Sequence, residues 1–549
     1  MVAPPKGIAA CLDEFTNTDG PGHMLGTASI PPGHHLGGRV GPPGMIWERR
    51  HHKRTASKSR PGDLPGRAWC AHDPLVDPPH RLQWCDHSKS PLESVTPLAD
   101  EHAGRKQRQR LICRSVSHKA SSTLVARANA AQPHVAALGV DERLRRVVDA
   151  RRRLADVADQ IIDRAVSEGG IPRRFAEREL ASALLFMDAL PAFAEAIRPC
   201  PVPAVSGTTT LEWAPFGVAL GWHAANSPIW VPTLVVLSGL VAGNAVISRP
   251  SQRVRMTTLQ VLEALTPAWP TDAIVVADMP ARAAERLIRD PGIHVVVAHS
   301  SSETCKRHLA LLGRAYARGL ALRPYIPEAS GNDALLVLAG ADLQRAAHAV
   351  AVGGFANSGQ LCMSAKRLIV QESVWPAFRP LLVAAVGDLV VGDPSDRRTD
   401  VVALRPGAAR DRARRSLAEA LDAGGEVIVG GEESSPTIIR LPVERAPHLE
   451  LWSQESFAPV RGLVVAHDPA HAVALANDTR FGLGAAIFGG DPEIIAHLRA
   501  ARVVVGEGPL YQDPHLVVGG VGDSGMFGAR PKLEQLVWAR RVHRAAKTR

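Results

Sequence analysis

One cysteine stands in a setting that suits a nucleophile. Cys362 lies in the segment 357–367, where glycine and serine leave little side-chain bulk around the thiol. The pattern predicts a small-residue helix before it, over 343–355, and an apolar strand after it, over 368–370. A covalent catalyst needs rigid elements on both sides of such a turn. The alternative interpretation is a buried structural cysteine, the commoner state of a lone cysteine.

Two glutamates lie in short motifs on either side of this cysteine. Glu328 occurs in Pro-Glu-Ala-Ser-Gly-Asn at 327–332, and Glu455 in Gln-Glu-Ser-Phe-Ala-Pro-Val at 454–460. A thiol next to a carboxylate suits acyl chemistry, because the carboxylate can take a proton from the water that attacks a thioester. Taken alone, Glu328 is more simply interpreted as a residue that caps or pairs on the surface.

Four motifs in one order make the chain resemble the NAD(P)-dependent aldehyde dehydrogenase superfamily, from about Ser122 to the C-terminus. Their residues are Gly359-Gln360-Leu361-Cys362, Glu328-Ala329-Ser330-Gly331, Glu455-Ser456-Phe457-Ala458-Pro459-Val460 and Ala476-Asn477-Asp478-Thr479-Arg480-Phe481-Gly482-Leu483. The resemblance implies oxidation of an aldehyde to a carboxylic acid through a cysteine thiohemiacetal and thioester, with hydride transfer to NAD(P).

The resemblance implies three catalytic residues. Cys362 corresponds to the family's nucleophile, Glu328 to its general base, and Asn226, in Ala-Ala-Asn-Ser-Pro at 224–228, to the amide that stabilises the oxyanion. A turn residue is the simpler interpretation of Asn226. The presence of Glu328 favours a carboxylic acid product over a coenzyme A thioester.

The resemblance also implies a cofactor site. Glu455 corresponds to the residue that binds the nicotinamide ribose, and Phe457 to the residue that packs beside it. Arg249 stands where the family has a lysine, and Gln252 where a glutamate is frequent. A glutamate accepts from a ribose 2′-hydroxyl and repels a 2′-phosphate, so its loss favours NADP, or the use of both NADP and NAD.

Several family residues are replaced in this chain. The phosphate-binding loop reads Ala-His-Ser-Ser-Ser-Glu-Thr-Cys at 298–305; both of its glycines are lost, and Ser300 and Ser301 are the remaining donors. Val235 replaces a lysine. These changes keep two alternatives open: a coenzyme A-dependent acylating aldehyde dehydrogenase or reductase, and a catalytically weak dehydrogenase-like protein that acts in binding or assembly.

Strands and helices alternate from residue 218 onward, which predicts an α/β fold with parallel sheets suited to a dinucleotide. No G-x-G-x-x-G occurs. We expect an aldehyde-dehydrogenase-like architecture: a Rossmann-type cofactor-binding domain over 122–328, an α/β catalytic domain over 329–518, and a C-terminal tail or oligomerisation segment over 519–549. Amphipathic helices are predicted over 140–167 and 173–197. A hairpin at about 199–213 is predicted to form a small β oligomerisation arm.

Residues 1–121 show no persistent period, and we interpret them as a disordered or mis-called N-terminal extension. They hold 17 Lys and Arg against 11 Asp and Glu, so +6 of the net charge of +10 lies there. The main body therefore gives no reason to expect nucleic acid as a partner. Trp-Cys-x-His occurs at 69–72 and 84–87, but its spacing is tighter than that of zinc sites, so no metal is assigned.

Composition and pocket residues set the remaining expectations. No apolar run reaches 18 residues, so no membrane partner is expected. Seven cysteines are too few for a disulfide framework in 549 residues and favour a reducing cytoplasm. Val231, Leu234 and Met363 favour an apolar aldehyde as the small-molecule substrate. The resemblance implies a homodimer or homotetramer.

Overall fold

A computed structural model describes residues 121–545. The expectations for residues 1–120, including the two Trp-Cys-x-His segments, lie outside these residues. The described part begins with helix α1 over 121–137. Helices α2 (Val140–Asp156) and α3 (Ala158–Arg164) follow, and a π-helical turn, Ala165–Gly169, closes the run.

The prediction of one helix over 140–167 is therefore wrong. The backbone leaves helical geometry at Val157, where φ is −111° and ψ is 16°. Val148, predicted on the buried stripe, is 69 % exposed. Its neighbour Val147 takes the buried position, because successive residues on a helix point about 100° apart. Gly170 ends the run as predicted, with a left-handed φ of 65°.

The second predicted helix is confirmed as α4 (Arg173–Ala194), extended by a 3₁₀ turn, Glu195–Ile197. By length and composition this segment could cross a membrane, but 61 % of its most apolar window is buried inside the fold. A mostly buried helix of this kind is typical of a protein core. The predicted hairpin is also confirmed, because β1 (Cys200–Val202) pairs antiparallel with β2 (Thr208–Pro215).

A five-stranded parallel sheet follows, in the order β5-β4-β3-β6-β7. The alternation of strands and helices from residue 218 onward predicted a parallel sheet, and this is confirmed. In chain order its elements are β3 (Val218–Trp222), α5 (Trp230–Ala242), β4 (Ala245–Arg249), α6 (Arg255–Leu265), β5 (Ile274–Val276), α7 (Ala281–Ile288), β6 (Val295–His299), α8 (Ser302–Tyr316) and β7 (Tyr325–Glu328). Helices cover both faces, which explains why nearly every strand residue is buried.

A seven-stranded sheet, in the order β10-β11-β12-β9-β8-β13-β14, carries the candidate cysteine. All its neighbouring strands are parallel except β10 and β11. Its elements are β8 (Asp333–Val337), α9 (Leu343–Phe355), β9 (Ala365–Gln371), α10 (Trp375–Gly387), α11 (Ala408–Asp422), β10 (Glu426–Val429), β11 (Thr437–Arg440), α12 (Glu450–Ser453), β12 (Val460–Ala466), α13 (Pro469–Asn477), β13 (Gly484–Phe488) and β14 (Arg502–Val505).

The C-terminal segment returns to the first half of the chain. It forms a short helix, α14 (Lys532–Gln535), and then β15 (Val537–Arg544), which pairs antiparallel with β2 to complete a three-stranded sheet. Leu533 and Leu536 are buried in the same core as helices α4 and α5. This packing brings α14 next to the carboxyl end of β7.

Candidate active site

The bend before Cys362 has an unusual backbone. Asn357 and Ser358 have left-handed φ values of 50° and 56°, and Gly359 continues with 72°. Side-chain contacts stabilise this geometry: the Asn357 amide donates 3.0 Å to the main-chain oxygen of Asn226, and the Ser358 hydroxyl accepts 2.8 Å from the Val402 N–H. Such strain persists only where the surroundings over-determine it, as at many functional sites.

A buried arginine lies beneath the bend. The Arg461 guanidinium donates to the main-chain oxygens of Gly354, Ala458 and Gly359 and, at 3.0 Å, to the Ser364 hydroxyl. Burial lowers its pKa to about 9. A Cβ at Gly359 would collide with this guanidinium, so glycine is required there for close approach as well as for its φ.

A buried lysine holds Cys362 from the other side. Lys366 is fully buried, and its Nζ donates 2.7 Å to the Leu361 oxygen and 2.6 Å to the Cys362 oxygen. The same Nζ lies 3.9 Å from Oε1 of Glu455. One cation therefore links the main chain of the candidate nucleophile to one of the candidate cofactor carboxylates.

The Cys362 thiol is held in its protonated form. Burial raises its pKa to about 12, Lys366 opposes that shift, and the carboxylates of Glu455, Asp333 and Glu328 add to it. The Cys362 N–H has no hydrogen-bond partner among residues 121–545, so it is an available donor. The bend therefore offers a thiol and a free backbone N–H side by side.

Glu455 and Gly331 meet at this bend. The Gly331 N–H donates 2.9 Å to Oε1 of Glu455, and a Cβ at Gly331 would clash with the main-chain oxygen of Cys362. This close approach explains why the glycine survives in the weakened Glu328-Ala-Ser-Gly331 motif. Glu455 and Phe457 lie in the segment that precedes β12.

Glu328 ends strand β7 and forms a buried ion pair. Its Oε1 lies 2.6 Å from Nζ of Lys532, and the two side chains are only 9 % and 2 % exposed. Burial raises the pKa of Glu328, and Lys532 lowers it. Sequence reasoning missed Lys532, because nothing local connects two residues that are 204 positions apart.

Asn226 lies in the loop between β3 and α5, and a buried glutamate fixes that loop. Oε1 of Glu179, on α4, accepts from the Ser227 hydroxyl at 2.9 Å and from the N–H groups of Ile229 and Trp230 at 2.8 and 2.7 Å. These contacts cap the start of α5. Burial raises the pKa of Glu179 to about 7. The side-chain amide of Asn226 has no partner in the described part of the chain.

The candidate cofactor residues Arg249 and Gln252 lie near the carboxyl ends of β4 and β5. Arg249 is buried with its guanidinium 4.3 Å from the centre of the Trp222 ring. Asp278, which sequence reasoning missed, accepts 3.1 Å from the Gln252 amide and 2.6 Å from Arg255. The absence of a glutamate at position 252 favoured NADP, but Asp278 places a carboxylate beside that position.

Ser300 and Ser301 lead into helix α8. The Ser300 N–H donates 3.2 Å to the Glu328 oxygen, which ties this loop to the candidate base. The Ser301 hydroxyl accepts 3.3 Å from the Thr304 N–H and caps the helix. No residue of this loop has a positive φ, so the loss of both glycines is compatible with the observed backbone.

These residues fit a dinucleotide. The N-terminus of the 15-residue helix α8 suits a pyrophosphate. Oε2 of Glu455 has no partner among residues 121–545 and can accept from ribose hydroxyls. Nε of Arg249 is buried without a hydrogen-bond partner in the same range, a donor that a bound anion or hydroxyl would satisfy.

A cavity of about 170 Å³ opens beside the cysteine. Both neighbours of Cys362, Leu361 and Met363, line it, as do Leu234, Ser227 and Lys532. Five aromatic rings form much of its wall: Phe175, Phe186, Phe193, Trp230 and Tyr511. Val231, predicted to face the substrate, is a residue of α5 whose side chain is buried in the core instead.

The profile of the aldehyde dehydrogenase family matches residues 89–537, so the match begins upstream of residue 122. A vanillin dehydrogenase of Pseudomonas fluorescens is 31 % identical over 451 residues, covering 77 % of this chain and 91 % of the relative. An NAD(P)+-dependent succinate semialdehyde dehydrogenase of Escherichia coli is 28 % identical over 421 residues, which cover 73 % of this chain and 88 % of the relative.

A solved structure has the same fold. The NADP-dependent glyceraldehyde-3-phosphate dehydrogenase of Bacillus halodurans, complexed with NADP, aligns with a TM-score of 0.71 at 22 % identity, covering 78 % of this chain and 91 % of that one.

The chain belongs to the aldehyde dehydrogenase family. It is an NAD(P)-dependent oxidoreductase that converts an aldehyde to a carboxylic acid, and the comparisons favour this activity over the coenzyme A-dependent and non-catalytic alternatives.

Proposed function

We propose that Cys362, Glu328 and Asn226 carry the oxidation, with Cys362 as nucleophile, Glu328 as general base and the Asn226 amide as oxyanion donor. The observation that carries this proposal is the contact between the two loops. The Asn357 amide binds the Asn226 main chain at 3.0 Å, so the Asn226 loop lies against the bend that presents the Cys362 thiol and N–H. The Asn226 amide and the Cys362 N–H, neither of which has a partner among residues 121–545, therefore belong to two loops in contact, and we assign them as the oxyanion donors.

The steps follow from these positions. Glu328 takes the proton of the Cys362 thiol and passes it to solvent. The Cys362 Sγ then forms a bond to the carbonyl carbon, and the C=O electron pair moves onto oxygen. The Cys362 N–H and the Asn226 amide stabilise that oxyanion. When the C=O bond re-forms, hydride leaves the carbon with its electron pair and a thioester remains. The bound dinucleotide supplies the two-electron acceptor for this hydride.

Hydrolysis completes the cycle. Glu328 takes a proton from water while the water oxygen attacks the thioester carbon. The C–S bond then breaks, Cys362 leaves as thiolate, and the acid is released. We propose that Arg249, Gln252, Ser300, Ser301, Glu455 and Phe457 bind the cofactor, with α8 holding the pyrophosphate and Glu455 a ribose.

We further propose an aldehyde built on one aromatic ring as substrate. The cavity of about 170 Å³ is close to the roughly 150 Å³ of an engineered cavity that binds benzene. Four cationic side chains line it, and each already has a partner: Lys532 pairs with Glu328, Arg530 pairs with Glu534, and Arg178 and Arg502 donate to main-chain oxygens. The cavity therefore offers an aromatic ring a large apolar surface. Its cations are already engaged and are less available to the carboxylate of an acidic semialdehyde. The name of the Pseudomonas relative, a vanillin dehydrogenase, agrees with this choice.

Steady-state turnover tests this proposal. We expect NADH or NADPH formation with benzaldehyde-type substrates, a weaker rate with succinate semialdehyde, and no stimulation by coenzyme A. Cys362→Ala should abolish turnover, while Cys200→Ala, at an exposed cysteine of the hairpin, should retain it. Turnover that survives in Cys362→Ala would refute the assignment of the nucleophile. A higher kcat/KM for succinate semialdehyde would refute the substrate class.

We also propose the coarser organisation expected from the sequence: a cofactor-binding domain over 122–328, a catalytic domain over 329–518, a C-terminal oligomerisation segment over 519–549, and a cytoplasmic homodimer or homotetramer. The three-stranded sheet supports the last point, because the outer strand β15 presents a mostly exposed edge, with Trp538 on its surface. Light scattering on the purified full chain tests it, and a monomer at micromolar concentration would count against it.

A further inference from the structure

The ion pair between Glu328 and Lys532 joins two distant parts of the chain at the active site. Glu328 stands at the carboxyl end of β7, and Lys532 is the first residue of α14. Nζ and Oε1 are 2.6 Å apart, and both side chains are buried. Lys532 also lines the aldehyde cavity. The lysine of this pair therefore lies in the wall of the cavity, with the carboxylate directly behind it.

The main chain around this pair is fixed. Glu328 and Gly525 form an antiparallel bridge, and the Ala329 N–H donates 2.9 Å to the Ser524 oxygen. Leu533, next to Lys532, is buried in the core with α4 and α5. Because the main chain is held in place at both residues, the Lys532 side chain starts from a fixed Cα position and keeps its ammonium group at the Glu328 carboxylate.

Few other ionisable groups face Glu328. His299, its register partner on β6, is kept neutral because burial and the charge of Lys532 lower its pKa. The negative charge of Glu328 also contributes to the raised pKa values of the Cys305 and Cys362 thiols. Lys532 is the one cation among residues 121–545 that stabilises the charged form of Glu328.

We propose that Lys532 is a positioning residue that keeps the carboxylate of Glu328 ionised and held at the cavity wall. This inference rests on the role of Glu328 as general base in the proposed function. A buried carboxylate without a partner would take up a proton, because burial disfavours its charged form. A protonated Glu328 cannot accept a proton from water, so thioester hydrolysis would stop while hydride transfer continued.

The test compares Lys532→Met with Lys532→Arg in the full chain. Methionine keeps the apolar stem of the side chain and removes its charge, so the acid limb of the kcat–pH profile should move up by at least one pH unit. Lys532→Arg should keep the limb close to its original position. Arg379→Met, which breaks an exposed pair with Glu426, is the matched control and should leave the profile unchanged.

Rapid mixing separates the two chemical steps. Lys532→Met should retain the initial burst of NADH or NADPH and lose about tenfold or more in the steady-state rate at a pH below the acid limb of the natural enzyme, where a rise of one unit in the pKa of the base lowers its ionised fraction about tenfold. An unmoved acid limb, or equal limbs in the methionine and arginine variants, would overturn the proposal. A change in KM alone would also overturn it, because it would make Lys532 a substrate contact.

A double variant distinguishes this inference from the proposed function. Glu328→Gln should slow hydrolysis, and adding Lys532→Met to it should cost no further activity if the lysine acts through the glutamate. A further large loss would refute the positioning role. Full steady-state turnover in Glu328→Gln would instead refute the assignment of the base, whatever the single lysine variants show.

Discussion

The ammonium group of Lys366 lies between the main-chain oxygen of Cys362, 2.6 Å away, and Oε1 of Glu455, 3.9 Å away. Burial lowers the pKa of Lys366, while the negative charges of Glu455 and Asp333 raise it. The positions of the proposed nucleophile and of the proposed ribose ligand thus depend on one buried cation.

Replacing this cation should cost both stability and reactivity. Lys366→Met removes the donor to the Leu361 and Cys362 oxygens and leaves Glu455, which keeps the Gly331 N–H, without its cationic partner. We therefore expect the free energy of unfolding to fall by about 3–5 kcal/mol. Alkylation of Cys362 by iodoacetamide should also slow, because Lys366 lowers the pKa of the thiol. Lys306→Met, at an exposed pair with Asp523, should cost about 0–1 kcal/mol. Similar melting temperatures for the two variants would contradict the role of Lys366.

A single methyl group at Gly331 should disturb the thiol. The Cβ of Gly331→Ala would clash with the Cys362 oxygen, so the bend must shift, at a cost of about 1–3 kcal/mol. We expect kcat/KM to fall about 100-fold, because displacements near 1 Å have effects of this size. Gly313→Ala is the control: its Cβ meets nothing within 4 Å, and alanine suits a helix interior. Equal activities would show that the bend tolerates the methyl group.

Stability should fall with pH through ionisation of Glu179. Its folded pKa, about 7 against an ordinary 4.5, means that the folded state binds a proton more tightly than the unfolded state. The contribution of Glu179 to the free energy of unfolding is therefore greatest below pH 4.5. It decreases by about 3 kcal/mol as the pH rises to 7. Glu179→Gln keeps an acceptor for the capped N–H groups and should remove this dependence.

Urea unfolding at pH 5 and pH 8 measures that difference. The variant should gain stability relative to the natural sequence at pH 8, with Glu195→Gln, at an exposed glutamate beyond the end of α4, as the control. If the free energies of unfolding of the variant and the natural sequence differ by the same amount at pH 5 and pH 8, the raised pKa of Glu179 is contradicted.

Cofactor preference should respond to the charge beside Asp278. Gln252→Glu would place a second carboxylate next to Asp278, where it would repel a 2′-phosphate. We expect the ratio of kcat/KM for NADP to that for NAD to fall about tenfold, which corresponds to about 1.4 kcal/mol. Glu285→Gln serves as a charge-changing control, because Glu285 lies on α7 and pairs with Arg307 instead of with the residues at the ends of β4 and β5. A clear preference of the natural sequence for NAD would already count against the influence of Arg249 and Gln252.

Local signals explain what could be predicted from the sequence. Cys362, Glu328 and Asn226 each lie in a short motif at a strand or helix end, and the strands around them are apolar runs between turn residues. The break at Val157 escaped notice because the hydrophobic period continues across it, into Ile161 and Ile162. A period reports which residues are buried, not whether the helix axis is continuous.

Long-range contacts explain what could not be predicted. Lys366, Arg461 and Lys532 are buried cations, and charged residues are seldom buried, so their types favoured a surface position. Their partners are main-chain oxygens or carboxylates brought close only by the folded chain. Asp278 was missed for a related reason, since its role depends on β4 and β5 being neighbours.

The separation of Glu328 from Lys532 has a consequence for biosynthesis. A ribosome that has completed β9 has already made Glu328 and Cys362, but the lysine that pairs with this carboxylate is still 204 residues behind Glu328 in the order of synthesis. The unfinished chain therefore carries a thiol before the charge of its neighbouring carboxylate is balanced. On the role proposed for Lys532, full hydrolytic activity requires the C-terminal segment, so a chain that stops before residue 532 would hydrolyse the thioester slowly.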